Sequence, residues 1–456
     1  MAEKTFHIAM YPWFALGHIT PFVHMSNKLA ERGHRVSFFL PAKTLSKVEA
    51  FNRHPDLVTF VPVTVPHVEG LPLGAETTND VPFPLHPLIM TAMDLTEPVI
   101  EASLRELKPQ FVFFDFTYWL PAVTRKLGIK SVHYCIISSA TIGYLLSPAR
   151  KILERGLTGP DLLEPPEGFP SSSIKLHTHE ARGVAAVTTK EFGSGIWFAE
   201  RQQRSYSDCD AIAFKTCKEI EGPYCEYIAS QFEKPVLYAG PVVPESPKMA
   251  LEEQWEKLLN KFESGSMIFC ALGSECVLKK DQFQELVLGL ELTGLPFLAA
   301  LKPPMGAETI ESALPEGFQE RVKERGLVHG GWVPQQLILR HPSVGCFVSH
   351  CGSGSLAEGM ANDCQLVLLP HVGDQVINAR LMAGELRIGV EVEKGEEDGL
   401  FTKDDVYKAV KTVMGDDNEL GKQTRANHAK WKQFLLAPGL ENSYMNEFII
   451  RLHALL

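Results

Sequence analysis

Short apolar runs alternate with helix-periodic segments along most of the 456-residue chain. FHIAMYPW (residues 6–13) reads as a buried strand and TPFVHMSNKLAERG (20–33) as an amphipathic helix. HRVSFFLP (34–41) follows as a second strand, completing a strand–helix–strand unit of a parallel sheet. LVTFVPV, QFVFFDF and KSVHYCII continue the strand series, and VEGLPLGAETTNDVPFPLHP (68–87) reads as a long Pro- and Gly-rich loop. The alternation restarts beyond YAGPVVPESPK, which holds three prolines from Pro241 to Pro247. SMIFCALGS, a helix over KDQFQELVLGLEL (280–292), PFLAALKPP, GLVHGGWV, VGCFVSH, QLVLLPH and GVEVE follow in turn. The pattern predicts an α/β chain of two doubly wound domains facing each other across a cleft, joined by the Pro-rich hinge. EFIIRLHALL reads as a packing helix, and the acidic run EKGEEDG (393–399) as a solvated loop.

Ligands of open parallel sheets bind beyond the carboxyl ends of the strands. That rule singles out GHITP (17–21), Asp115, GSE (273–275) and HCGSGS (350–355). The last loop is the densest in chemistry. With a strand over residues 344–349 and a helix from about Leu356, Ser355 falls at the N-cap and Glu358 three positions on, the spacing of a capping box. Gly352 and Gly354 permit a tight turn and close approach of a ligand, and the helix amides form an anion site. Taken alone, the loop reads equally as a phosphate cradle and as an ordinary strand-to-helix turn.

Composition narrows the classes. Hydrophobic residues make up 45% and charged residues 22%, the balance of a globular protein, and a net charge of −11 argues against nucleic acid or an anionic membrane surface as partner. No run approaches the ~18 apolar residues of a membrane span. Nine scattered cysteines without a CxxC pair point to reduced thiols and a cytoplasmic location, and the first residues lack the pattern of a signal peptide. His341, Cys346, His350, Cys351, Cys364 and His371 match no zinc spacing, so no metal is expected. The dinucleotide and nucleoside-triphosphate glycine fingerprints are absent from the sequence.

The segment 332–375, WVPQQLILRHPSVGCFVSHCGSGSLAEGMANDCQLVLLPHVGDQ, resembles the plant secondary product glycosyltransferase box in ungapped register. The matching residues are Trp332, Pro334, Gln335, His341, Pro342, Gly345, Phe347, His350, Cys351, Gly352, Ser355, Glu358, Pro370, Asp374 and Gln375. With GHITP near the start and the hinge midway, the whole chain resembles a plant UDP-glycosyltransferase of the GT-B fold. The resemblance implies a Rossmann-like acceptor-binding domain over 1–244, a Rossmann-like UDP-sugar domain over 245–435 and a C-terminal helix, 436–456, packing back on the first. It places Trp332 on the uracil face, the Val333 backbone at the uracil edge, and Gln335 and Glu358 on the ribose. His350, Gly352, Gly354, Ser355 and Ser274 would hold the diphosphate. Asp374 and Gln375 would bind the transferred sugar, with Ser138 or Ser139 touching sugar or phosphate. Glu358 thus has two competing duties, helix cap and ribose ligand.

His18 alone reads as a structural hydrogen-bonding residue, but Asp115 at the end of FVFF is a carboxylate that burial obliges to find partners. In the resembling family these two positions meet, the Asp orienting a His that deprotonates the acceptor hydroxyl. The implied reaction is direct displacement at the anomeric carbon with inversion, needing no cofactor beyond the UDP-sugar co-substrate. The family loop usually reads HCGWNS. Here Ser353 and Gly354 replace Trp and Asn, Asp363, Cys364 and Gln365 stand where Gly-Val-Pro is common, and Leu369 stands where Trp is frequent. These departures resemble the branch-forming subgroup that adds rhamnose, glucose or xylose to the sugar of a flavonoid or anthocyanin glycoside. The small-molecule acceptor would lie near Trp13, Phe14, Phe116, Tyr118 and Trp119, each of which fits a core position equally well. A monomer is expected. The competing functions are a transferase acting on free aglycones, a UDP-sugar epimerase and a non-catalytic UDP-sugar-binding protein.

Overall fold

The computed structural model describes residues 5–241, 250–273, 276–415 and 418–456. Two wholly parallel sheets organise it. The first contains β1 (His7–Tyr11), β2 (Arg35–Pro41), β3 (Val58–Val63), β4 (Phe111–Phe114), β5 (Lys130–Cys135), β6 (Ala211–Phe214) and β7 (Val236–Tyr238), in the order β3-β2-β1-β4-β5-β6-β7. The second contains β8 (Met267–Ala271), β9 (Phe297–Ala300), β10 (Gly326–His329), β11 (Val344–Ser349), β12 (Gln365–Leu368) and β13 (Gly389–Glu391), in the order β10-β9-β8-β11-β12-β13. Each order reverses direction once, between β1 and β4 and between β8 and β11. Loops leaving the carboxyl ends of those pairs diverge and leave a crevice.

The strands are apolar on both sides because helices cover both faces. All four residues of β4 are buried, as are all five of β8. The Lys280–Leu292 helix buries Phe283, Leu286, Val287 and Leu290, an i, i+3, i+4, i+7 stripe against the second sheet. The Leu440–His453 helix repeats that spacing with Met445, Phe448, Ile449 and Leu452, but it packs on the first sheet, where Phe448 meets Phe113 edge-on at 6.0 Å. The end of the chain therefore closes the core of the domain in which the chain begins. Another core cluster runs from the first sheet to the second, with Phe114 and Phe347 among its members.

Several expectations shift. The first helix is Leu16–Ala30, so His18 stands in its first turn and not in the loop before it. Strands β6 and β7, only four and three residues long, are too short to show a period. The acidic run at 393–399 is exposed yet bonded: the Thr178 amide donates to Glu396 Oε1 at 3.0 Å, and Arg182 Nη2 to Glu397 Oε2 at 2.6 Å. Those bonds tie the second half of the chain to the first. The hinge read in YAGPVVPESPK falls largely on 242–249, outside the described residues. All nine cysteines are free thiols, eight of them buried.

Candidate active site

At the first reversal, β1 and β4 pair with Tyr11 opposite Phe114, so the residues after each strand emerge side by side. Asp115 Oδ2 lies 2.6 Å from His18 Nδ1, while Oδ1 accepts the amides of Trp13 at 2.7 Å and Phe116 at 2.8 Å. Asp115 is only 2% exposed, and three donors answer its charge. An ionised carboxylate only accepts, so Nδ1 carries the proton and Nε2 presents a lone pair. The His18 side chain is 20% exposed, enough for that nitrogen to meet an incoming hydroxyl. Phe116 stands edge-on to the imidazole at 5.4 Å and stacks on Trp13 at 5.6 Å, while Phe192 and Phe198 extend the aromatic wall. On the neighbouring strand β5, burial lowers the pKa of His133 to about 4 and keeps it neutral.

The other aromatic candidates separate by burial. Phe14 is fully buried core. Trp119 is buried as well, its indole N–H donating to Asp94 at 3.1 Å, and Asp94 also binds the guanidinium of Arg201. Tyr118 is partly exposed with the Arg201 guanidinium 4.9 Å over its ring. Phe116 and Tyr118 thus have surface to offer a ligand, and Phe14 has none.

At the second reversal, the loops after β8 and β11 meet around His350. A Cβ on Gly273 would come within 2.8 Å of its ring and one on Gly352 within 2.6 Å, so two glycines form the slot that seats the imidazole. Gly273 also holds φ of +76°, a second reason for glycine there. Burial lowers the His350 pKa, and among the described residues its buried Nδ1 makes no hydrogen bond. The expected capping box does not form. The helix is Ser353–Met360, capped at extended Gly352 without a side-chain bond, which puts Ser355 and Glu358 inside it. The ladder begins with Leu356 N–H to Gly352 O at 3.0 Å, so the amides of Ser353, Gly354 and Ser355 point out of the helix end as donors. An anion placed there meets these amides and the positive end of the helix dipole.

The conflict over Glu358 is resolved by Gln335 and Gln336. Gln335 Nε2 donates to Glu358 Oε2 at 2.6 Å and to Ser355 Oγ at 3.0 Å, and Gln336 Nε2 to Glu358 Oε1 at 3.0 Å. Burial raises the Glu358 pKa, and these amides oppose the shift. Trp332 is 78% exposed, an open indole face beside buried Val333. Asp374 opens the Asp374–Arg380 helix after Gly373 at φ +57°. Gln375 Oε1 accepts the amides of His371 at 3.0 Å and Val372 at 3.2 Å, which turns its NH2 group outward. Ser138 Oγ donates to Asn378 across the interdomain boundary at 2.8 Å. Ser139 is fully buried with its hydroxyl on Glu221 at 2.7 Å, which leaves it no surface for a donor, contrary to expectation. Ser274 lies outside the described residues.

Three polar side chains near the loop, Asn378 buried and His371 and Lys394 half-buried, carry no local motif, and only the fold brings them there. The pKa of His371 falls to about 3 by burial and the nearby Lys394, and Lys394 itself is lowered to about 8 by burial. The third is Asn378, on the helix that Asp374 opens.

The chain matches the family model described as UDP-glucoronosyl and UDP-glucosyl transferase over residues 321–423. It is 62% identical over 456 residues to a cyanidin 3-O-galactoside 2''-O-xylosyltransferase of Actinidia chinensis var. chinensis, covering 100% of both chains. It is 56% identical over 452 residues to an anthocyanidin 3-O-glucoside 2''-O-glucosyltransferase of Ipomoea nil, covering 99% of this chain and 98% of the relative. Among solved structures, UGT73P12 of Glycyrrhiza uralensis, complexed with glycyrrhetinic acid 3-O-monoglucuronide, superposes with a TM-score of 0.80 at 21% identity, covering 99% and 96% of the two chains. A UDP-glucose: anthocyanidin 3-O-glucosyltransferase in complex with UDP gives 0.76 at 22% identity, covering 99% of each.

Proposed function

From the premise that the chain belongs to the plant UDP-glycosyltransferases and has their GT-B fold, we propose that it transfers a sugar from UDP to a sugar hydroxyl of a flavonoid or anthocyanin 3-O-glycoside. The observations that carry the chemistry are the His18–Asp115 pair at one reversal and the helix end of uncommitted amides at the other. The relatives carry the substrate class, since both are similar along the whole chain and both are named for transfer to the sugar of an anthocyanin glycoside. Xylose and glucose are the first donors to try, and rhamnose the third.

The acceptor hydroxyl lies against His18 Nε2, which removes its proton as the oxygen attacks the anomeric carbon. The bond from that carbon to the UDP oxygen breaks in the same displacement, so configuration inverts and UDP leaves as an anion. Asp115 holds the imidazole in the reactive tautomer and balances the imidazolium that forms. The amides of Ser353, Gly354 and Ser355, with His350, receive the charge growing on the diphosphate. Gln335 and Glu358 take the ribose, Trp332 the uracil, and Asp374 and Gln375 the sugar hydroxyls. The reading includes a monomeric cytoplasmic protein that needs no metal. Among the described residues no helix is long and apolar enough to cross a membrane.

The test is a grid of UDP-xylose, UDP-glucose and UDP-rhamnose against anthocyanidin 3-O-glycosides and the free aglycones, in buffer containing EDTA. A product heavier by one sugar, formed on the glycosides in preference to the aglycones, is the expected result. Products on aglycones alone move the acceptor reading to the simpler transferases, and no product in any cell overturns the transferase reading.

A further inference from the structure

We infer that Asn378 is a positioning residue that aims the Asp374 carboxylate at the donor sugar and fixes that aim to the first domain. Asn378 is buried at 2% exposure, one helical turn after Asp374. Its Nδ2 donates to Asp374 Oδ2 at 3.0 Å, to the Cys351 carbonyl at 3.0 Å and, more weakly, to Ser353 Oγ at 3.3 Å. Its Oδ1 accepts from Ser138 Oγ at 2.8 Å. The orientation of the amide follows from chemistry. A backbone carbonyl and a carboxylate only accept, so the group between them must be NH2, and Oδ1 must turn toward the Ser138 hydroxyl. Every partner of this side chain belongs to the cleft: Asp374 to the donor-sugar end, Cys351 and Ser353 to the anion loop, Ser138 to the first domain.

Ser138 follows β5, the strand paired with β4, whose end carries Asp115. One path from His18 to the Asp374 carboxylate therefore crosses the domain boundary through the Asn378 amide, while Arg380, at the other end of the same helix, bonds to Glu180 of the first domain. Cys351 sits at φ +68°, a conformation costly for a non-glycine residue, and the bond from Asn378 helps hold its carbonyl in place. Ser353 matters here as well. Its hydroxyl lies within reach of Asn378, a contact that the Trp usual in the family loop could not make. The sugar end of the site is thus wired to the phosphate loop and to the catalytic domain at one residue that no sequence motif marks.

This rests on the proposed role of Asp374, and the experiment separates the two. UDP, UDP-glucose and UDP-xylose are titrated calorimetrically against the wild-type protein and the Asn378→Ala, Asn378→Asp and Asp374→Ala variants. Asn378→Asp keeps the oxygen that Ser138 meets and removes the NH2 that Asp374 meets. Both Asn378 variants should weaken the better-bound UDP-sugar by about tenfold, the worth of a hydrogen bond to a charged group, with UDP affinity within about twofold of wild type. In turnover the same loss should appear in the donor KM, with the acceptor KM unchanged. Equal loss of UDP and UDP-sugar binding means that Asn378 only maintains the fold of the loop, which overturns the inference. Loss of the sugar increment in Asp374→Ala but not in the Asn378 variants overturns it too, and leaves the reading of Asp374 standing. If Asp374→Ala also binds UDP-sugar normally, both fall together.

Discussion

The two strand-order reversals have the same topology and opposite hydrogen-bond economies. At the first, Asp115 has all its charge answered by His18 and two backbone amides, inside a wall of aromatic rings. At the second, His350 Nδ1 and His371 Nε2 are buried without a hydrogen bond among the described residues, and three helix amides face outward. A base must hold one tautomer before the substrate arrives, so its supporting bonds are made within the protein. An anion grip works by donors that the protein leaves uncommitted. The same strand order at the reversal thus yields a preassembled proton acceptor in one domain and a set of waiting donors in the other.

Separating the two functions gives the largest expected effect. His18→Ala should lower turnover by roughly 10²- to 10⁴-fold, the usual worth of a positioned base, with UDP affinity unchanged by calorimetry. A parallel fall in UDP binding would show that the two reversals are not independent. Gly352→Ala probes the opposite side. Its Cβ would press to 2.6 Å from the His350 ring, and overpacking of this kind costs about 1–3 kcal/mol. UDP affinity should then fall by about 10- to 100-fold, with His18 still bonded to Asp115, as its ring proton resonance would report.

A smaller effect tests what the reversals share, since each shelters a neutral histidine. An unfolded histidine titrates near pH 6.5, whereas burial lowers His133 to about 4 and His371 to about 3. Between those values the unfolded chain binds more protons than the folded one. Stability is therefore fully present above about pH 6.5 and is lost as the pH falls toward 4, at about 1.4 kcal/mol per pH unit for a fully buried histidine such as His133. Among the described residues neither ring nitrogen of His133 makes a hydrogen bond, so His133→Phe removes the titration without orphaning another described group. Urea midpoints of that variant between pH 7 and 5 should decline less steeply than those of the wild type, and an unchanged slope would exclude His133 as a source.

Apolar runs make much of this fold legible in the sequence alone. The Lys280–Leu292 helix coincides with the segment that periodicity marks, because its buried stripe recurs at helical spacing. The carboxylate at the end of FVFF announces its need for a partner, and it has three. Legibility ends where a local pattern competes with a distant contact. Ser355 and Glu358 carry the spacing of a capping box, yet Gln335, twenty residues away from Ser355, takes both side chains and the helix starts at Ser353. The acidic run at 393–399 has the composition of mere solvated charge, but Thr178 and Arg182 of the other domain claim it. Asn378 is invisible for the same reason: its partners lie at positions 138, 351, 353 and 374, which no window of sequence joins.

The smallest expected effect concerns the position where the anion loop departs from its family. A Cβ added to Gly354 meets nothing within 4 Å, and its φ is not in the left-handed region. Neither sterics nor backbone conformation demands glycine there, in contrast to Gly352 and Gly273. Gly354→Asn, which restores the family residue, should leave stability within about 0.5 kcal/mol of wild type. Its new carboxamide would stand beside the three outward amides and add a donor to the side already rich in them. UDP should bind a few-fold more tightly, by about the net worth of one hydrogen bond, with the His18-dependent step unaltered. If the ratio of UDP-xylose to UDP-glucose turnover also moves, position 354 helps to choose the sugar. An unchanged ratio assigns that choice to the Asp374–Asn378 end of the cleft, and Gly354 then marks a lineage without setting a preference.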